Sequence, residues 1–173
     1  DMTSSRGLGD VYKRQDYLYL DHAASTPMRK SAMDKYIEAE SFGFANSSGG
    51  HKLSRNSKNL LEDSREVISE LFNSAPGEII FTSGGTEADN WTIKSLFDSK
   101  ITNSNLVTSN IEHEAVLASA EWVSSNGFQT KYAKSDENGF VTKDEFIKQI
   151  DDETIVASLM WGNNETGVIQ PIK

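Results

Sequence analysis

At 173 residues the chain is long enough for one ordinary domain with a buried core. A composition of 36% hydrophobic and 25% charged residues excludes a disordered or collagenous protein, and a net charge of -9 argues against general affinity for nucleic acid or an anionic membrane. Without cysteine there can be no disulfide framework and no thiolate zinc site, His22, His51 and His113 follow no metal-ligand spacing, and no apolar run approaches a membrane span.

The first fifteen residues, DMTSSRGLGDVYKRQ, are polar and aperiodic and lack the apolar stretch of a signal peptide. The GDVYKRQ string resembles translated adaptor sequence, so residues 1–15 are read as a non-native leader. Residues 16–52 form an N-terminal segment of strand, helix and loop: a short strand at Tyr17–Leu20, a helix near Met28–Ser41, and a loop rich in Gly, Asn and Ser over 43–51. Residues 53–173 read as part of a larger domain. A long helix is expected over Ser54–Phe72, where Leu60, Leu61, Val67, Ile68, Leu71 and Phe72 recur near helical period, with Pro76-Gly77 beyond its end.

Strands then alternate with helices. EIIFT at Glu78–Thr82 predicts a buried strand and Thr86–Leu96 a helix; NLVTS at Asn105–Ser109 a strand and Ala115–Ser124 a helix. Phe128–Ala133 predicts a third strand, Ser135–Gly139 a turn, Lys143–Ile150 a helix and Thr154–Trp161 a last strand. This order predicts an α/β fold, a mostly parallel sheet with helices on both faces. The chain stops at Pro171-Ile172-Lys173 directly after a strand pattern, which reads as a fragment.

Ligands of such sheets sit beyond the carboxyl ends of the strands. Three polar clusters fall there. Ser83-Gly84-Gly85-Thr86 brings two glycines and a hydroxyl to a helix start, where free N–H groups and the positive dipole end suit a phosphate; a plain helix cap is the alternative. Neither the P-loop nor the dinucleotide glycine pattern is present. His113 in Asn110-Ile111-Glu112-His113-Glu114 could stack on a flat ligand or relay a proton, or simply cap a helix. Asn164, in Gly162-Asn163-Asn164-Glu165-Thr166-Gly167, is either turn chemistry or a carboxamide directed at the same place.

Four runs in this order, Tyr19-Leu20-Asp21-His22-Ala23-Ala24-Ser25-Thr26-Pro27, Phe81 to Asn90, Glu112 to Leu117 and Asn163 to Gln170, resemble the cysteine desulfurases of the class V aminotransferase group. The resemblance covers Tyr17 to Lys173 and implies an incomplete large domain of a fold-type I transferase dependent on pyridoxal 5'-phosphate. It implies that Gly85 and Thr86 cradle the cofactor's phosphate, that His113 stacks on its ring and relays a proton, and that Asn164 lies near its phenolic oxygen. Asn46 and His51 are implied at the mouth of the site, although Asn46-Ser47-Ser48-Gly49-Gly50-His51 departs from the family's Asn-Pro-Ser-Ser-x-His. The full protein would take sulfur from L-cysteine, leave alanine and pass an enzyme-held persulfide to a scaffold protein for iron–sulfur cluster or thio-cofactor synthesis, as a cytoplasmic homodimer. The lysine that holds the cofactor and the sulfur-accepting cysteine would lie beyond Lys173, so the fragment alone is expected to be inactive.

Other readings are a selenocysteine lyase or aminotransferase of the same superfamily, or a non-catalytic doubly wound binding domain. Asp136, Asn138, Gly139 and Glu145 echo part of a calcium loop, but Lys134 would stand at its first ligand position, so a solvated turn is expected.

Overall fold

The computed structural model describes residues 18–97 and 103–172. The leader reading for residues 1–15 lies outside them. The chain divides into two compact units, Asp1–Phe42 and Gly43–Lys173.

In the first unit, helix α1 spans Lys30–Phe42. The expected strand at Tyr17–Leu20 is not formed over the described Leu18–Leu20, which are exposed; Tyr17 lies outside the described residues. Instead, Tyr19 donates its hydroxyl to the carbonyls of Asp21 and Ser25, closing a turn.

The second unit opens with a loop in which Asn46 Oδ1 accepts from Ser48 N (3.0 Å) and Ser48 Oγ (2.9 Å). Helix α2, Lys52–Phe72, starts at His51, whose Nδ1 accepts from Ser54 N. A Cβ on Gly49 would come within 2.4 Å of Ser54 Oγ, so the close approach of loop to helix requires glycine there. The helix ends at Asn73, in left-handed conformation (φ 50°), whose N–H meets Glu70 and Ser69 carbonyls. Residues 78–82, expected as a strand, are not one. Ile80 and Phe81 are exposed and the segment is held by Arg65, which donates to Ile79 O and lies 4.9 Å over the Phe81 ring.

Helix α3, Gly85–Lys94, precedes a three-stranded parallel sheet of order β2-β1-β3, with β1 at Asn105–Ser109, β2 at Gln129–Ala133 and β3 at Thr154–Ala157. Helix α4, Glu114–Ser125, crosses from β1 to β2, and α5, Lys143–Gln149, from β2 to β3. Parallel strands need such crossovers. Register assigns the faces. Leu106 pairs with Thr130 and Val156; Leu106 shares a core with Ile93, Phe97, Val116, Ala120 and Val123, Val156 packs against it, and Thr130 Oγ1 donates to Ala120 O. That face carries α3 and α4. Val107 and Ala157 point the other way, where Ala157 shares a groove with Phe146 and Ile147 of α5. With helices on both faces, all five residues of β1 are buried, the polar Asn105, Thr108 and Ser109 included.

At the amino ends of the strands, Asp151 gathers all three. Its carboxylate accepts from Asn105 Nδ2 of β1 (2.8 Å) and pairs with Lys131 of β2, while Thr154 Oγ1 of β3 donates to Asn105 Oδ1 (2.8 Å). Thr154 Oγ1 also meets Asp151 Oδ1 (3.1 Å), and the bonds to Asp151 from Lys131, then Asn105, then Thr154, hold its carboxyl well below its ordinary range. No described helix is long and apolar enough to cross a membrane.

Candidate functional site

The carboxyl ends of β1 and β3 open into paired loops. After β1, Ser109 is followed by a tight turn into α4, whose cap is His113: Nδ1 accepts from Ala115 N at 3.1 Å. That bond commits Nδ1 as acceptor, so the neutral ring carries its proton on Nε2. The ring itself is exposed.

After β3 the expected strand Thr154–Trp161 stops at Ala157. Ser158 N still reaches Val107 O (2.9 Å), but Met160 N turns instead to the Glu112 carboxylate (2.8 Å). A small hairpin follows. Gly162 bridges Ile169, Gln170 N donates to Trp161 O (2.7 Å) and Asn163 N to Val168 O (2.9 Å). Gly167 makes its turn at φ 76°, a conformation that favours glycine. The adjacent asparagines divide the work. Asn163 is structural: Oδ1 accepts from Glu165 N and Thr166 N, both at 2.9 Å, and Nδ2 donates to Ile111 O at 2.9 Å. Asn164 is left exposed.

The two loops flank an open cavity of about 430 Å³, lined by Asn110 to Glu114 and Leu117 from one loop and by Asn163 to Thr166 from the other. His113 and Asn164, fifty-one positions apart in sequence, thus share one wall-to-wall space. Such a volume suits a small cofactor. Among the described residues no lysine or arginine lines it, whereas Glu112, Glu114 and Glu165 do.

Gly85 and Thr86 do not line this cavity. They begin α3, behind Gly84 at the cap, where the first N–H groups are exposed. Glu87 folds back to accept from Ser83 N and Ser83 Oγ at 2.6 Å each, the hydroxyl bond first in holding its carboxyl below the ordinary range. Neither Gly84 nor Gly85 has a left-handed φ, and a Cβ on either would stand in open space. The chain's own packing gives no reason for two glycines here; close approach of a bound group to the backbone does. The residues therefore fit a phosphate held by N–H groups and the Thr86 hydroxyl, and a flat ring beside His113. Asn46 and His51 lie in the loop before α2 and contribute no wall to the cavity.

Two residues that sequence reasoning gave no role complete the frame. Glu112 is buried, accepting from Ser109 Oγ (2.8 Å) as well as Met160 N. Gln170 is buried too, with Oε1 accepting from Val141 N (2.9 Å) and Nε2 donating to Gly139 O (2.8 Å). Both lie inside runs that carried the resemblance, which was the only available signal. The Asp136 turn is the solvated turn expected: its carboxylate accepts from Asn138 N (2.9 Å) and Phe140 N (2.8 Å).

Residues 18–173 match the family described as Aminotransferase class-V. The chain belongs to that family. Among relatives of this class-V aminotransferase chain, it is 38% identical over 157 residues to cysteine desulfurase IscS of Methanosarcina thermophila and 37% identical over the same length to that of Clostridium botulinum. Each match covers 90% of the chain and 39% or 40% of the relative. Among solved structures it is similar to a NifS-like protein (TM-score 0.82, 32% identity, 89% of this chain and 43% of that one). It is also similar to SspA in complex with cysteine (TM-score 0.81, 32% identity, 90% and 45%). The chain spans about two fifths of the length of the curated relatives it matches. The parallel sheet with helices on both faces is of the expected fold class, and the sequence resemblance to cysteine desulfurases is borne out.

Proposed function

We propose that the protein is a pyridoxal-phosphate-dependent cysteine desulfurase and that this chain contributes the cofactor's phosphate seat and one face of its ring site. The observation that carries the reading is the pairing of His113 with Asn164 across one cavity, at the strand ends of a class-V aminotransferase chain. The cysteine desulfurases among its relatives, and a similar structure of SspA in complex with cysteine, support L-cysteine as substrate.

In this reading the N–H groups at the start of α3 and the Thr86 hydroxyl bind the phosphate without a net cationic patch, which accords with a chain of charge -9. His113 stacks on the ring, and Nε2 holds a proton within the cavity. Asn164 donates its carboxamide to the phenolic oxygen. Asn46 and His51 shape the mouth on the substrate side. The cofactor supplies an electron sink that lets the substrate's carbon–sulfur bond break. The sulfur passes to a cysteine thiolate as a persulfide and alanine leaves. The chain has no cysteine to supply that thiolate and none of the runs that carry the resemblance contains a lysine, so both groups are assigned to other parts of the protein, and these 173 residues alone turn over no substrate. A cytoplasmic homodimer that delivers sulfur to a scaffold protein completes the proposal.

Product analysis with the purified full-length protein tests it. Incubation with pyridoxal 5'-phosphate, L-cysteine and a reducing thiol is expected to yield equimolar alanine and sulfide. Release of alanine from selenocysteine alone would make the protein a lyase, and a keto acid without sulfide would make it an aminotransferase.

A further inference from the structure

Two segments meet at one buried carboxylate. Glu112 is 8% exposed, and its Oε1 accepts from Ser109 Oγ, at the end of β1, and from Met160 N, three residues beyond β3, both at 2.8 Å. One oxygen therefore bridges the exits of neighbouring parallel strands. Asn163 Nδ2 makes a second link between the same loops, to Ile111 O at 2.9 Å. Glu112 directly precedes His113, and Met160 stands four residues before Asn164. Whatever fixes this bridge fixes the width of the cavity between them.

We propose that Glu112 is a positioning residue that, by bridging the exits of β1 and β3, sets the separation of His113 and Asn164 and so the seat of the cofactor ring. This rests on the cofactor reading above. What the position requires is reach rather than charge. Both accepted bonds end on one oxygen, which a carboxamide supplies equally well. An aspartate keeps the charge but withdraws that oxygen by about one carbon–carbon bond, ~1.5 Å, too far to serve Ser109 and Met160 together.

The pair Glu112→Gln and Glu112→Asp separates the two properties in the full-length protein. Three quantities are read: the dissociation constant for pyridoxal 5'-phosphate, the visible circular dichroism of the ring per mole bound, and the thermal midpoint. Glu112→Gln is expected to keep the wild-type ellipticity and an affinity within about twofold. Glu112→Asp is expected to bind roughly tenfold more weakly, the worth of about one lost hydrogen bond, with an altered ellipticity. Wild-type affinity and ellipticity in Glu112→Asp, however far its melt falls, would reduce Glu112 to a packing role and overturn the proposal. Equal impairment of both variants would overturn it as well, since charge would then matter and not reach. The wild-type arm reports separately on the parent reading: no cofactor binding there refutes the site itself.

Discussion

Burial raises the Glu112 carboxyl above its ordinary value of 4.5; Asp89 pushes the same way, while the bonds from Met160 N and Ser109 Oγ oppose the shift. A carboxyl whose value is higher folded than unfolded binds more protons when folded, so its contribution to stability is full below 4.5 and is lost as pH rises through the raised folded value. Glu112→Gln removes this loss while keeping the acceptor. In urea unfolding of the full-length protein, the variant is expected to gain on the wild type as pH rises from about 4 to about 7; a difference independent of pH would contradict the burial argument. The same residue shows where sequence reading stops. His113 and Asn164 were legible because their types suit the chemistry and their places follow strand ends. Glu112 was not, because its partner at Met160 is 48 positions away and a buried acceptor leaves no periodic trace. Residue type alone does not separate the adjacent asparagines; the resemblance singles out Asn164, and the hairpin shows Asn163 absorbed by the turn and Asn164 left exposed at the cavity wall.

Among elements, β1 is central and buried on both faces, and its polar Asn105, Thr108 and Ser109 are buried with Leu106 and Val107. Glu78–Thr82 has the composition of a strand, yet a strand exists only through a partner, and Ile80 and Phe81 remain exposed. Thr154–Trp161 was half right: the ladder ends where Met160 N leaves it for Glu112. The return of the chain after β3 depends on Gln170, which fastens the hairpin to the turn before α5 through Val141 N and Gly139 O. Gln170→Ala leaves a buried donor without a partner and should destabilise the protein by about 2–3 kcal/mol in urea unfolding. A loss below about 0.5 kcal/mol would mean that water replaces both bonds.

On the scale of the molecule, strand–helix alternation sufficed for a parallel sheet covered on both faces, but not for its strand order, because β3 returns to the far side of β1 rather than beside β2. The cavity is built the same way, from a cap at His113 and a hairpin at Asn164 that only the topology brings together, while the helix start at Gly85 stands outside its lining. Their common ligand is the central claim. It is tested most directly by titrating the full-length protein with pyridoxal 5'-phosphate and with pyridoxal, wild type beside Thr86→Val, a change that removes a hydroxyl at nearly constant volume. The wild type is expected to prefer the phosphorylated form by at least about 100-fold, and Thr86→Val to cut that preference roughly tenfold without changing the affinity for pyridoxal. Equal wild-type affinity for the two forms, or a preference indifferent to residue 86, would contradict a phosphate seat at the start of α3.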